Sequence, residues 1–406
     1  MSVRRNRDFR LFWFVQTLSV AGDSFSFVAI PLLVLHATGS VAQMGLLTGL
    51  AGAASMVTGT FAGTIVDRVD RRHLLIICDI ARAVLYGLIP LGWLVSPQVW
   101  LLYAVVPLAA GFGMVFQVGY VAAVPNLVDS DQITQANGRL FATQAAAGVA
   151  GPLLAGLVSA ALGPAAAIGI DAASFAVSAA GLALLRLRPT ASRPSGPRQG
   201  PWRDFVEGAR FLWRHPVLKT LTVLLSFFVF LTLGLIDIVI YYLKVDLGRG
   251  DGVVGYVLAV AAVGTVAASA LVASLRRSLG FGSCWIGCHV LFGLTIGAIG
   301  LTRAVPLVAA LITAAMFFQG VAAICSLSLR QEVTPGHLLG RVTSTFWTIQ
   351  RVLSPLGAAL LTAATARLGV TPVPLWAGTA CVLIGAAAVF TPVRMARPER
   401  LEFDAA

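Results

Sequence analysis

The chain has 406 residues, of which 58% are hydrophobic and only 11% charged, and its mean hydropathy is +0.87. A soluble domain carries about 25% charged residues, so composition excludes a water-soluble fold of this length and selects lipid as the solvent for its apolar surface. The net charge of +12 sits on the breaks between apolar segments and implies no nucleic-acid partner.

The first element follows Arg4, Arg5, Arg7 and Arg10. Its apolar run, from Leu11 to about Leu35, exceeds the roughly 7–15 residues of a signal-peptide core and lacks a small-residue cleavage site, so it reads as a membrane span. A spanning helix needs about 20 mostly apolar residues. Cutting at charged or Gly/Pro-rich breaks predicts twelve, at 9–36, 42–66, 73–95, 98–126, 138–160, 165–187, 217–243, 253–275, 283–302, 305–328, 341–366 and 371–393. The least marked cut is Gly163-Pro164. The expected fold is an all-α membrane protein with twelve transmembrane helices in two pseudo-symmetric six-helix bundles. Residues 1–187 and 217–393 form the bundles, 188–216 a cytoplasmic linker and 394–406 a cytoplasmic tail. With the N-terminus inside, only Lys244, Arg249, Arg303 and Arg367 of the 29 Lys and Arg residues fall outside, while Arg82 and Arg351 lie within spans. That bias predicts a multi-pass protein of the bacterial inner membrane with both termini cytoplasmic.

Ionisable residues inside spans are costly and concentrate at functional positions. Asp23 lies near the middle of the first span. It either carries a proton, binds a cationic substrate, or is held by the hydroxyls of Ser19, Ser24 and Ser26. Between spans two and three, GTIVDRVDRRHLLIICDIAR reads as a tight turn. Gly63 would let the helix ends approach, and Asp67 would accept N–H bonds at the start of the next helix. Arg68, Arg71 and Arg72 would answer helix C-termini or lipid headgroups. Asp79 and Arg82, three residues apart, can pair on one helix face. Asp171 and Asp237 fall in the outer parts of spans six and seven, lining an external mouth or hydrated there.

The stretch RPTASRPSGPRQGP reads as a flexible linker. The following WRDFVEGARFLWRHP reads as an amphipathic helix on the cytoplasmic leaflet, with Trp202, Phe205, Val206, Ala209, Leu212 and Trp213 on its apolar face. It serves either as a connector or as a regulatory contact. All five cysteines fall in apolar runs without a CxxC. Cys284, Cys288 and the adjacent His289 read as packing residues rather than as a metal site. Arg351 can pair with Asp23 across the halves or snorkel to the inner surface. The halves echo each other. PNLVDSDQITQANGR precedes Gly151-Pro152, and LRQEVTPGHLLGR precedes Ser354-Pro355, each with a polar turn, a Gly-Arg and a mid-helix proline. Internal repeats of this kind mark secondary transporters, whose substrate site lies near the midplane.

The loop residues Gly63, Asp67, Arg68, Arg71 and Arg72 resemble the cytoplasmic signature G-x-x-x-D-R-x-x-R-R of the major facilitator superfamily. The resemblance implies the major facilitator fold and a conformational gate formed by these residues with Asp79 and Arg82; a topology anchor is the simpler alternative. The opening NRDFRLFWFVQTLSVAGDSFSFVAIPLLVLHATGS and GRVTSTF at 340–346 are similar to the macrolide-efflux and enterobactin-exporter branch of drug:proton antiporters. Family antiporters carry G-x8-G-x3-G-P-x-x-G-G in span five. Here that register gives Gly138, Ala147, Gly151, Pro152, Ala155 and Gly156, two glycines being replaced by alanine. The fourth-span arginine of drug antiporters falls near Pro107, and span four holds no arginine, so a relay through it is unavailable.

The expected function is secondary active transport: proton-coupled efflux of an amphipathic small molecule (a drug, siderophore or secondary metabolite) by alternating access, with membrane lipids as surroundings. Asp23, Arg351 and Asp237 are the candidate proton or substrate residues. Uptake or lipid translocation by the same fold, or a non-transporting scaffold or sensor, are the alternatives. No GxxxxGK[ST] and no catalytic constellation occur, so neither ATP, a cofactor, a metal nor enzymatic turnover is expected.

Overall fold

The computed structural model describes residues 6–124, 127–128, 133–185, 201–335 and 338–398. Within them the chain is a succession of helices with no strand. They are α1 (Arg7–Thr38), α2 (Val41–Arg68), α3 (Arg71–Val95), α4 (Val99–Ala123), α5 (Ile133–Leu162), α6 (Pro164–Ala183), α7 (Pro201–Arg214) and α8 (Pro216–Thr232). Then come α9 (Leu235–Tyr241), α10 (Asp251–Leu279), α11 (Phe281–Ile299), α12 (Val305–Val333), α13 (Leu339–Arg351), α14 (Ser354–Leu368) and α15 (Pro372–Ala387). Among the described residues eleven stretches are long and apolar enough to cross a membrane. One of them joins α8, α9 and a π-helical turn at Tyr242–Asp246. The remaining expected span, 341–366, is present as α13 and α14 end to end, each too short to cross alone.

Local chemistry explains the boundaries. Asn6 caps α1 by accepting from the Phe9 N–H at 3.1 Å, and its amide donates to the Leu127 carbonyl at 2.7 Å. The Thr-Gly-Ser exit of α1 is a stop and a start in three residues. Gly39 closes α1 at φ 64°, where a side chain would be strained, and Ser40 caps α2. Gly163 and Pro164 separate α5 from α6, with the proline at the first helical position. His215 caps α8 through Nδ1, which accepts from the Leu218 N–H at 3.3 Å. Burial pushes the ring below its ordinary pKa and so keeps it neutral.

The chain divides into two compact units. The first holds α1–α6 together with residues 249–259 at the start of α10. There α1 and α3 both pack on α6, α2 on α4, and a core including Phe9, Phe12, Leu75, Phe116 and Tyr120 fills the space between helices. The Phe12 and Tyr120 rings stack with centroids 5.5 Å apart. The second unit holds α7–α9, the rest of α10 and α11–α15, with α11 packed between α12 and α15.

Four expectations change. Gly63 is exposed and, among the described residues, a Cβ there would meet nothing within 4 Å, so close approach of the described helices does not account for this glycine. Asp70, not Asp67, caps α3, accepting from the His73 N–H at 3.0 Å; α2 continues through Arg68 and carries Asp67 inside it. The linker helix α7 does not simply rest on a leaflet. Its Gly208, Phe211 and Leu212 are buried, and a Cβ on Gly208 would lie 2.6 Å from the Arg341 carbonyl of α13. Glu207 accepts from Arg341 Nη1 at 2.6 Å, while Trp202 and Trp213 stay exposed. The preceding linker residues 188–200 lie outside the described residues.

The fourth change is that spans seven and eleven are interrupted. α8 gives way to α9 at residues 233–234, and α13 to α14 at 352–353, where Pro355 lacks the N–H that would continue the ladder. Between the two interruptions the spans pack backbone against backbone: a Cβ on Gly357 would run into the Phe230 carbonyl, and one on Gly234 would lie 3.1 Å from the Ala358 Cα. Only glycine permits backbones this close.

Candidate functional site

Three helices of the first unit each carry a polar stripe at helical spacing. On α1 it is Ser19, Asp23 and Ser26; on α3, Asp79, Arg82 and Tyr86; on α6, Asp171, Ser174 and Ser178. Residues three, four and seven apart share a helix face, and the packing of α1 and α3 on α6 turns the stripes toward one another. Gly22 makes this possible on α1. A Cβ there would stand 2.7 Å from Asp171 Oδ1 and 2.8 Å from Ser174 Cβ, so α6 approaches to the width of a hydrogen atom.

The centre of the cluster is Arg82. Its Nη2 pairs directly with Asp23 Oδ1, and its Nη1 lies 3.9 Å from Asp79 Oδ1. The guanidinium carbon sits 3.7 Å from the centroid of Phe175, a cation–π arrangement that partly replaces lost hydration. Asp171 accepts from the Ser26 hydroxyl, and Ser174 donates to the Asp171 carbonyl at 2.8 Å. Asp171 is within electrostatic range of both Asp23 and Arg82. Among the described residues neither carboxylate oxygen of Asp79 makes a full hydrogen bond, its polar neighbours being Arg82 and the Ser178 hydroxyl of α6. Exposure separates the acids: the Asp79 side chain and Asp171 are fully buried and the Arg82 side chain is 9% exposed, whereas the Asp23 side chain keeps 44%. One cation thus faces three carboxyls halfway along membrane-length helices, and Asp23 is the least enclosed of the three.

The other candidates lie as follows. Arg72 donates through Nε to the Leu182 carbonyl at 3.2 Å and through Nη2 to the Ala183 carbonyl, capping the C-terminus of α6. Arg71 begins α3 beside it. The side chains of Asp67 and Arg68 lie outside the described residues. In α5, Gly151 abuts Ser24 of α1, and Ser24 Oγ donates to the Ala147 carbonyl at 3.4 Å, next to Asp23. Pro152 is inside α5, and a Cβ on Gly156 would lie 2.6 Å from the Gly255 Cα. Gly138 is in the first turns of α5, with surroundings outside the described residues. Asp237 is buried in the short helix α9. Arg351 ends α13, exposed, 5.9 Å from the Trp347 ring centroid. Asp23 pairs with Arg82, and the Asp79–Arg82 contact that their spacing allows is the looser of the two arginine contacts. His289 is buried between the rings of Phe228 and Trp285, at 4.1 and 3.9 Å, as packing predicts.

Comparison with known proteins agrees with this architecture. The family model described as Major Facilitator Superfamily matches residues 12–358. The multidrug efflux pump Tap of Mycolicibacterium fortuitum is 25% identical over 391 residues, covering 94% of this chain and 95% of Tap. The enterobactin exporter EntS of Escherichia coli O6:K15:H31 is 27% identical over 366 residues, covering 87% of this chain and 84% of EntS. Among solved structures, a bacterial homolog to the human lysosomal transporter Spinster superposes with a TM-score of 0.74 at 15% identity, covering all of both chains. The helices long enough to span a membrane, their arrangement and the family match together place the chain in the Major Facilitator Superfamily, as a multi-pass membrane transporter.

Proposed function

We propose that the chain is a proton-coupled exporter of an amphipathic small molecule, working by alternating access in the bacterial inner membrane with both termini cytoplasmic. The observation that carries this reading is the single guanidinium of Arg82 among the carboxyls of Asp23, Asp79 and Asp171. Uncompensated negative charge is expensive in a low-dielectric interior, and protons are the counter-charge a transporter can exchange. Asp23 is the least enclosed of these acids. A proton on Asp23 removes its pairing with Arg82, whose nearest remaining carboxylate is Asp79 on the same helix. The tie between α1 and α3 is then loosened, and its re-formation requires release of the proton. This couples proton occupancy to helix arrangement, as the linkage of binding to a two-state element requires.

Gly63, Asp67, Arg68, Arg71 and Arg72 fit a gate at the cytoplasmic end, where Arg72 already fastens α3 to the end of α6. Asp237 and Arg351 are candidates for substrate contact in the second unit. Direction and substrate class rest on the likeness to Tap and EntS, described as a multidrug efflux pump and an enterobactin exporter, and orientation rests on the loop charge bias.

The test is accumulation of lipophilic antibiotics, dyes and siderophores in pump-deficient bacteria expressing the chain, with and without a protonophore. The expected result is lower accumulation of at least one compound, restored by the protonophore. Unchanged accumulation of every compound despite confirmed membrane insertion, or export indifferent to the protonophore, would overturn proton-coupled efflux of this class.

A further inference from the structure

The second unit carries a basic cavity that the transport reading does not use. It has a volume of 590 Å³ and is lined by Arg276 and Arg277 from the last turn of α10, by Arg397, by Glu332 of α12, and by the apolar Ala273 and Leu279. Arg397 is held there by backbone bonding. The Phe281 N–H donates to the Ala396 carbonyl at 2.9 Å and the Gly282 N–H to the Met395 carbonyl at 3.1 Å, so the residues after the helical turn Pro392–Arg394 are pinned across the start of α11. Gly280, at φ 74°, makes the turn between α10 and α11 on which they rest. The first N–H groups of α11 are thereby satisfied, and the charge facing the cavity comes from side chains.

Among the described residues Glu332 is the one acid in the lining, and Arg276 takes it with a two-pronged fork, Nη1 to Oε1 at 2.9 Å and Nη2 to Oε2 at 2.5 Å. Arg277 and Arg397 remain as net positive charge on the same cavity, both exposed. Convergent like charges repel unless an anion joins them. Guanidinium forks suit phosphate oxygens in particular. The position narrows the source of that phosphate. The cavity opens at the end of a 29-residue apolar helix, and Leu279, an exposed leucine, forms its wall beside the arginines. A freely dissolved anion has no use for such an apolar flank, whereas a lipid has both a phosphate and a glycerol–acyl portion to lay against it.

We infer that this cavity is a headgroup site for an anionic phospholipid, with Arg277 and Arg397 on the phosphate, Arg276 held in place by Glu332, and Leu279 and Ala273 against the upper acyl chain. The test uses the full chain purified in detergent, with dioleoyl phosphatidylglycerol, dioleoyl phosphatidylcholine and inorganic phosphate as probes. Bound lipid is read by native mass spectrometry and thermal stability by a melting scan. Phosphatidylglycerol should remain bound and raise the melting midpoint more than phosphatidylcholine or inorganic phosphate does. Apparent affinity for it should fall by about tenfold or more in R277A/R397A. It should be only partly lost in R277K/R397K, which keeps the charge but not the forks, and should persist in R394A, which removes an arginine from the same turn outside the lining. An undiminished response in R277A/R397A, or an equal loss in R394A, would overturn the site. Protection by inorganic phosphate alone, equal to that by phosphatidylglycerol, would assign the cavity to a free anion and overturn the lipid.

Discussion

Asp23→Asn should abolish gradient-driven export while leaving the protein folded and inserted. The amide has the shape of the carboxyl and can still accept from Arg82, but it can neither ionise nor carry a proton. Asp23 is partly open to solvent and Arg82 retains Asp79 at 3.9 Å, so the stability cost falls below the full penalty for breaking a buried pair and is expected near 1–2 kcal/mol. The rate effect is larger. Protonophore-sensitive export should drop by about tenfold at least, equivalent to about 1.4 kcal/mol in the coupled step, and whatever transport remains should lose its dependence on external pH. Transport rates measured in vesicles at several imposed pH gradients decide the matter. An unchanged rate with unchanged pH dependence would remove Asp23 from the coupling and leave it a helix-binding residue.

Substitutions of Arg82 separate charge from geometry. Arg82→Ala removes the cation that, among the described residues, faces Asp23, Asp79 and Asp171, and takes away the group stacked on Phe175. Stranding buried carboxyls in this way costs about 3–5 kcal/mol, so low expression and a lowered melting midpoint are expected. Arg82→Lys restores the charge but not the planar fork that spans Asp23 and Asp79 while lying flat on a ring. It should fold nearly as well as the parent protein and still export about ten to a hundred times more slowly, since a fork-and-stack site does not accept lysine as an equivalent. Melting scans of both variants, with export measured on Arg82→Lys, read the two effects independently. Full stability of Arg82→Ala would show that the carboxyls never depended on this cation.

Much of the fold was legible because lipid simplifies the code. Long apolar segments with charged breaks can be read one by one, and the Gly163-Pro164 cut, the least marked in the sequence, is a true helix boundary with proline at its first position. Interrupted segments were harder. Mean hydropathy does not register that Pro355 splits a span, because the flanking residues stay apolar on both sides of the break. The site was legible in its residues but not in its pairing. Asp23, Asp79 and Arg82 all stand out as charges in apolar runs, yet sequence distance favoured the local Asp79–Arg82 pair over the one made across 59 positions. Depth along the span puts Asp171 only in the outer part of span six, lining a mouth or hydrated there. The signal that would have drawn it inward is periodic: Asp171, Ser174 and Ser178 form the same kind of polar stripe as Ser19, Asp23 and Ser26. Gly22 supplies a second such signal, since a glycine beside a mid-span aspartate marks a place where another helix must come close.

The paired interruptions of spans seven and eleven carry a consequence for the solvent protection of the backbone. An unbroken membrane helix holds its amide protons for as long as the helix stays intact, because each is bonded four residues back and no water competes. Just after residues 233–234 and 352–353 the regular ladder lapses, and the stretch between the two lapses is packed backbone against backbone through Gly234 and Gly357. Deuterium should therefore enter the second unit at these two places before it enters the adjoining turns of α8 and α14, and any motion that opens one break should unprotect the other with it.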